Sequence, residues 1–231
     1  MTHSAFHLVA QTNDFIVINK SADINFHDEG EVNQGLFNQI KQQLALTELY
    51  PVHRLDKMTS GLLLLAKNKT AASHFQHLFS QHLIQKYYLA ISDQKPKKKQ
   101  GLIKGDMAKS RRGAWKLLRT MENPAISQFF SYGLGNGLRL FLVKPHSGKT
   151  HQIRVALASI GAQILGDPLY AKGESKNQPD RGYLHAYALN FHWHGQAYHY
   201  VLAPTQGQHF EKLELPTETL LPWNLSWPKI K

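Results

Sequence analysis

The chain has 231 residues, of which 42% are hydrophobic and 19% are charged, and it contains no cysteine. This composition excludes a disordered chain and a fibrous repeat, and the lack of cysteine excludes disulfides, thiolate catalysis, zinc ribbons and iron–sulfur clusters. The 27 Lys and Arg residues against 16 Asp and Glu residues give a formal net charge of +11, which favours a polyanionic partner such as nucleic acid.

The beginning of the chain and its hydropathy pattern carry no targeting signal. No apolar run approaches twenty residues, and residues 1–4 lack the basic and then apolar plan of a signal peptide. We therefore expect a cytoplasmic protein that forms one domain over residues 1–231, acts as a monomer and does not bind a membrane.

In chain order, local patterns predict a protein with more strands than helices. Aliphatic and aromatic runs predict strands at 15–19, 61–66, 87–91, 127–132, 138–143, 183–193 and 198–202. Apolar residues at helical spacing predict helices at 35–46, after Thr70 and from Thr150 to Ile160, with Asn33, Thr70 and Thr150 as N-caps. Because hairpins join several strands, we predict an α+β fold with a mixed, largely antiparallel sheet and flanking helices.

The positive charge is concentrated in residues 95–119. That segment carries a net charge of +9, from one acidic residue, Asp106, and ten basic ones: Lys95, Lys97, Lys98, Lys99, Lys104, Lys109, Arg111, Arg112, Lys116 and Arg119. Its glycines and its proline predict a mobile hairpin or loop rather than a helix. We predict that the segment contacts nucleic acid, chiefly through Lys109, Arg111 and Arg112; the alternative is a solvated run of charge.

Fourteen histidines raise the question of a metal site. His192 and His194 would share one face of a strand, but no carboxylate lies close by in the sequence to complete a set of ligands. We expect no metal.

The densest polar stretch outside residues 95–119 is 53–61, which runs directly into the apolar residues 62–65. Two interpretations fit the spacing equally well. Asp56 could accept hydrogen bonds from Thr59 and Ser60 in a structural turn, or it could be a catalytic carboxylate.

Residues 53–61 read H-R-L-D-K-M-T-S-G and resemble the signature H-R-L-D-x-x-T-S-G of the RluA-type pseudouridine synthases. Other segments resemble the family's motifs in the same order: F-I-V-I-N-K at 15–20, K-Y-Y-L-A at 86–90, K-P-H-S-G-K-T-H-Q-I-R-V at 144–155, I-L-G-D-P-L-Y at 164–170 and L-H-A at 184–186. The resemblance covers about residues 8–205. The C-terminal residues from about 206 to 231 are predicted to form an extended tail.

The resemblance implies the pseudouridine synthase catalytic fold and the isomerisation of uridine in RNA to pseudouridine. The family's catalytic aspartate falls on Asp56, its active-site tyrosine on Tyr88, and the arginine that pairs with the aspartate on Arg154. Arg54 is implied to occupy the space left by the flipped nucleotide, for which a planar guanidinium is suited. Further RNA contacts are expected from His53, Thr59, Lys149, His151 and Gln152. The resemblance implies no metal and no other cofactor.

The sequence departs from the family pattern at Ser21, Lys149 and Ala156, none of which is an implied catalytic residue. No separate N-terminal RNA-binding domain is expected, so recognition of a ribosomal or transfer RNA would fall to the catalytic domain and its basic segment. Two alternatives stay open. One is an RNA-binding or RNA-chaperone protein of the same fold, and the other is a glycosidase with Asp167 as its second carboxylate.

Overall fold

A computed structural model describes residues 4–28, 35–171, 173 and 175–230 of the chain. Its helices are α1 (Leu36–Gln43), α2 (Lys69–Ser80) and α3 (Gln152–Ser159). Its strands are β1 (Phe6–Gln11), β2 (Phe15–Lys20), β3 (Tyr50–Pro51), β4 (Ser60–Ala66), β5 (Gln85–Ser92), β6 (Gln100–Gly105), β7 (Met107–Lys109), β8 (Trp115–Leu117), β9 (Ala125–Gly135), β10 (Leu138–Pro145), β11 (Leu184–Trp193) and β12 (Gln196–Val201). No helix in the described ranges is long and apolar enough to cross a membrane.

The chain forms two compact units. The first contains residues 1–84 and 185–206, and the second contains residues 85–184 and 207–231. Whether the chain acts as one domain stays a prediction. Over the described residues, strand pairing within the units is largely antiparallel, with one parallel pair, and α1, α2 and α3 accompany the strands. The predicted α+β class with a mixed sheet is therefore confirmed.

In the first unit the parallel pair joins β4 and β11. Ser60 pairs with His185 and Gly61 with Ala186, while β2 runs antiparallel along β4. Gly61 has a φ of +105°, and a Cβ there would lie 2.3 Å from the carbonyl oxygen of Ala186. Only glycine permits this backbone conformation and this close approach of the strands.

The core of the first unit is aromatic and lies under α2. Phe75 of α2 stacks on Trp193 with ring centroids 4.1 Å apart, and Phe15 packs edge-on against both rings. The N-cap of α2 is Asn68, whose side chain accepts a hydrogen bond from the amide of Ala71. The prediction of Thr70 as the cap is therefore wrong, because the helix already begins at Lys69.

The N-cap of α1 is Gly35, and the helix is shorter than the predicted 35–46. Asn33, the expected cap, lies outside the described residues. Among the described residues of the first unit, two strands were not predicted: β1, which pairs with β2, and the very short β3, which pairs with β4.

In the second unit β5, β10, β9 and β6 form consecutive antiparallel pairs. The strands predicted at 127–132 and 138–143 form a hairpin of β9 and β10, and both strands are longer than predicted. It closes on Asn136 and Gly137, which have φ values of +49° and +77°. Such positive values are typical of two-residue hairpin turns.

The basic segment is partly a strand of this sheet. Its first half forms β6, paired with β9. Its second half forms a separate two-stranded sheet from β7 and β8, closed by a short 3₁₀ turn at Arg111–Gly113. We call residues 107–117 the basic hairpin. The predicted hairpin is confirmed, whereas the expectation of a loop is wrong for β6, where pairing with β9 outweighs the poor strand propensity of Gly and Lys.

Helix α3 begins later than predicted. Its N-cap is His151, in the left-handed conformation with a φ of +56°, so the prediction of Thr150 as the cap is wrong. The C-terminal end of α3 agrees with the prediction, because Gly161 follows the helix with a φ of +78°. The C-terminal tail packs on the second unit, where the ring of Trp227 lies 5.0 Å from that of Phe130 and 5.8 Å from that of Tyr87.

Candidate active site

Asp56 lies in a tight turn between β3 and β4, in the first unit. Its carbonyl oxygen accepts a hydrogen bond from the amide of Thr59 at 3.0 Å. The hydrogen bond that closes this turn therefore uses the main chain of Asp56. Asp56 is partly exposed, whereas Thr59 is only 2% exposed. The turn thus presents the aspartate and buries the threonine.

A buried lysine is hydrogen-bonded to the main chain of this turn. Lys20, at the end of β2, is fully buried, and its Nζ donates to the carbonyl oxygens of Ser21, Lys57 and Thr59, each at 2.9 Å. An ammonium group carries three hydrogens, which suits it to bind several main-chain carbonyl oxygens at once. Because a buried charge is costly unless it is hydrogen-bonded, this arrangement ties the main chain next to Asp56 to β2.

Ser60 ends the turn and begins β4, and it is anchored by a buried histidine. The Ser60 hydroxyl lies 2.8 Å from Nδ1 of His185, and Nε2 of His185 lies 2.9 Å from the carbonyl oxygen of Leu202. A carbonyl can only accept, so Nε2 carries a hydrogen. In the neutral imidazole Nδ1 then accepts the Ser60 hydroxyl hydrogen. His185 thus links the signature to the late L-H-A motif.

The two residues at the start of the signature differ in exposure. Arg54 is exposed, as its implied role in filling the space of a flipped nucleotide requires. His53 is partly buried: its Nε2 accepts the amide hydrogen of Leu64 at 2.9 Å, and its ring lies 4.9 Å from that of Phe79. These contacts hold His53, and with it the chain just before the turn, against β4 and α2. RNA contact by Arg54, His53 or Thr59 stays a prediction.

In the second unit Tyr88 lies on β5 and pairs with Val143 of β10. Successive side chains of a strand point to opposite faces. Tyr87 is fully buried on one face, and burial raises the pKa of its hydroxyl above its ordinary value. Tyr88 lies on the other face and is partly exposed, together with Lys86. Burial lowers the pKa of Lys86 to about 8.

Arg154 lies on α3 and is 6% exposed. Its Nε and Nη2 donate to the two carboxylate oxygens of Asp167, each at 2.8 Å, and its Cζ lies 5.0 Å from the ring centroid of Tyr170. One oxygen of Asp167 also accepts the amide hydrogens of Leu169 and Tyr170. Such a bidentate pair fixes the plane of the guanidinium.

The same pair bears on the glycosidase alternative. Asp167 is 2% exposed, and both of its oxygens are bonded to Arg154. A carboxylate held in this way by a guanidinium is poorly placed to donate a proton to a leaving group. The carboxylate that a glycosidase mechanism would need is therefore committed to positioning an arginine.

Gln152 builds the loop that precedes α3. Its Oε1 accepts from the Ser147 hydroxyl and from the amide of Lys149, and its Nε2 donates to the carbonyl oxygen of Ile126 and the hydroxyl of Ser127. These four bonds match the full capacity of a carboxamide. Its role in the structure is thus to hold the loop that carries Lys149, and its contact with RNA stays a prediction.

The residues of the basic segment that are predicted to contact RNA lie in this second unit. Lys109, Arg111 and Arg112 are exposed along the basic hairpin, and Arg112 has a φ of +54° at its turn. Helix α3 packs on β8 of the hairpin. The pKa of Asp106, next to β7, is lowered first by a hydrogen bond with the Thr120 side chain and also by the charge of Lys149.

Each unit thus contains some of the predicted catalytic and RNA-binding residues. The first contains Asp56, Arg54, His53 and Thr59, and the second contains Tyr88, Arg154, Lys149, His151, Gln152 and the residues of the basic hairpin. Sequence reasoning missed the supporting roles of Lys20, His185 and Tyr170, whose only signal was their place in the motifs. Over the described residues, no group of three or more His, Asp or Glu side chains could hold a metal ion.

Comparisons with known proteins agree with the motifs. A family model described as RNA pseudouridylate synthase matches residues 14–159. The chain is 52% identical over 205 residues to an "Uncharacterized RNA pseudouridine synthase" of Haemophilus influenzae, covering 89% of this chain and 90% of that protein. It is 33% identical over 189 residues to "Ribosomal large subunit pseudouridine synthase C" of Rickettsia bellii, covering 80% of this chain and 62% of that one. Its fold is similar to that of the solved structure "Human RNA Pseudouridylate Synthase Domain Containing 1", with 21% identity, a TM-score of 0.77 and full coverage of both chains.

Proposed function

The chain belongs to the RluA-type RNA pseudouridylate synthase family, whose members are isomerases, and from this premise we propose that it isomerises a uridine of a structured ribosomal or transfer RNA. The main observation behind the proposal is the turn at Asp56. Asp56 is partly exposed there, and the main chain that follows it is held by hydrogen bonds from the buried Lys20. A reactive group is effective when its support is rigid.

The reaction needs neither an oxidant nor a second substrate. The N1–C1′ glycosidic bond breaks, the uracil turns, and a C5–C1′ bond forms; the C5 hydrogen leaves as a proton and N1 gains one, so that the product is an isomer. The uridine must leave the RNA stack before this bond can be reached. We assign Asp56 as the nucleophile or base, and Arg54 as the side chain that takes the place of the flipped nucleotide.

Tyr88 and Arg154 are assigned to the same uracil. Tyr88 offers an aromatic face for the base and a hydroxyl for the moving proton. Arg154 is assigned as the cation that favours the ionised Asp56. Its bidentate contact with Asp167 fixes the plane of the guanidinium, so that Arg154 presents its charge in one orientation.

The exposed basic residues Lys109, Arg111 and Arg112 are assigned to the RNA backbone, together with Lys149 and His151. Phosphate contacts position an RNA but carry no sequence information. Ribosomal RNA as the target is supported by the names of the Rickettsia relatives, and this chain spans about three fifths of the length of those proteins. Mapping pseudouridines in ribosomal and transfer RNA from cells with and without the protein will identify the site.

Release of tritium from RNA labelled at C5 of uracil tests the proposal, because isomerisation liberates the label and binding alone does not. We expect release by the wild type, none by Asp56→Ala, and RNA affinity within a few-fold of the wild type for that variant. Glu48→Gln, which removes an exposed carboxylate from the same unit, is the control and should release label at the normal rate. Full release by Asp56→Ala would refute the assignment, and RNA binding without release by the wild type would favour an RNA-binding protein.

A further inference from the structure

Tyr170 contacts both the basic hairpin and the helix that carries Arg154. Its hydroxyl accepts the amide hydrogen of Trp115 at 2.8 Å and lies 3.0 Å from Nδ1 of His151, the N-cap of α3. Its ring centroid lies 5.0 Å from Cζ of Arg154. One side chain thus joins two elements that are assigned different tasks.

The contact at Trp115 is a hydrogen bond from outside the two-stranded sheet, and it adds to the packing of α3 on β8. Trp115 is the first residue of β8, follows the turn at Arg111–Gly113 and pairs with Lys109 of β7. The strands β7 and β8 form a sheet of their own, and an isolated two-stranded sheet is marginally stable in water. The main-chain hydrogen bond to Tyr170 therefore bears directly on where the basic residues of the hairpin lie.

Tyr170 also reaches Arg154 through its main chain. Its amide donates to Oδ1 of Asp167 at 3.1 Å, and the same oxygen accepts from Nη2 of Arg154 at 2.8 Å. A shift of Tyr170 would therefore move both the aromatic ring beside the guanidinium and the carboxylate that holds it.

We infer that Tyr170 is a positioning residue that couples the docking of the basic hairpin to the orientation of Arg154. RNA that binds the docked hairpin stabilises Tyr170 in place and, with it, the arginine. The inference rests on the proposed function, since it takes the hairpin to bind RNA and Arg154 to serve the reacting uracil.

Two substitutions separate the parts of this role. Tyr170→Phe removes the hydroxyl and keeps the ring, whereas Tyr170→Leu removes both. We expect Tyr170→Phe to raise KM for RNA about fivefold, as expected for the loss of one hydrogen bond, with kcat within about twofold of the wild type. Tyr170→Leu should also lower kcat, by about tenfold or more, because the guanidinium loses the aromatic ring beside it while its contact with Asp167 remains. An unchanged KM in Tyr170→Phe would overturn the inference.

A second background tests whether the hydroxyl acts through the hairpin. When Arg111 and Arg112 are already replaced by Gln, Tyr170→Phe should cause no further rise in KM, because residues that act as a unit are not additive. A full additional rise would overturn the coupling. Tyr183→Phe is the matched control: it removes a hydroxyl that donates to Asp180, away from the hairpin, and should leave KM unchanged.

Hydrogen exchange of residues 107–117 provides a readout that does not depend on catalysis. Exchange should be faster in Tyr170→Phe than in the wild type or Tyr183→Phe, and equal exchange would overturn the inference. Faster exchange together with no tritium release by the wild type would support the hairpin contact and refute the proposed function, so the two failures are distinguishable.

Discussion

The hydroxyl of Ser60 and Nδ1 of His185 lie 2.8 Å apart, although 125 positions separate the two residues in the sequence. The first residue follows the turn that carries Asp56, and the second begins the parallel pairing of β11 with β4. Both are buried, with exposures of 4% and 2%. This hydrogen bond joins the signature motif to the late L-H-A motif.

The Ser60–His185 pair should stabilise the first unit cooperatively. Ser60→Ala removes the hydroxyl that donates to Nδ1 of His185, which we expect to lower the free energy of unfolding by about 1–3 kcal/mol. His185→Leu should do so as well. The double variant should lose less than the sum of the two, because the same hydrogen bond is removed by either change. Urea unfolding of all four proteins measures this, and strictly additive losses would contradict the pairing.

The Arg154–Asp167 pair should be needed for the reaction, and removing one partner alone should destabilise the fold. Asp167→Asn removes the counter-charge next to a buried guanidinium, so we expect a loss of about 3–5 kcal/mol of stability and of most tritium release. Asp180→Asn, at an aspartate of the same unit that is bonded to Tyr183, is the control and should keep normal release.

Replacing both Arg154 and Asp167 by Met separates the two roles. Because an apolar pair can replace a buried ion pair without loss of stability, thermal unfolding should return toward that of the wild type while tritium release stays absent. Recovery of release in that double variant would show that Arg154 serves the fold alone.

The basic hairpin should set the salt dependence of RNA binding. Changing Lys109, Arg111 and Arg112 to Gln should raise KM and lower the log–log salt slope by roughly 0.7–0.9 for each phosphate that the protein no longer neutralises. Lys176, Lys212 and Lys229 are exposed in the same unit, and their replacement by Gln removes an equal charge. An equal fall in slope from both triple variants would indicate a general effect of net charge and contradict specific binding of RNA by the hairpin.

The lowered pKa of Lys86 should make the free energy of unfolding depend on pH. Burial lowers its pKa in the folded protein from 10.5 to about 8, so the unfolded chain binds more protons between these values and stability rises with pH across that window. The wild type should therefore gain stability relative to Lys86→Met from about pH 8 to 10. Denaturant unfolding at each pH measures this. Lys69→Met, at an exposed position, should run parallel to the wild type, and a parallel profile for Lys86→Met would contradict the prediction.

Local sequence patterns determined those features of the protein that depend only on residues close together in the chain. The aliphatic run at Leu62–Leu65 predicts a buried strand, because a continuous apolar run of that length must be covered on both faces. The D-x-x-T-S-G spacing left a structural turn at Asp56 and a catalytic carboxylate equally open, because short polar side chains are common in turns as well as in active sites. The family and its isomerase class follow from several such motifs in order.

Tertiary structure decided which partners the polar groups have. Lys20 meets the turn at Asp56, Asp167 holds Arg154, and Tyr170 binds the hairpin at Trp115. The fold also decided the N-cap of α2, because the helix begins at Lys69 and leaves Asn68 as the cap. It decided that β6 is a strand, because β6 pairs with β9. Hydrogen bonds depend on a few tenths of an ångström between atoms that are distant in sequence. The sequence by itself determined which residues are candidates for the chemistry, and only the packed chain decided what holds each of them in place.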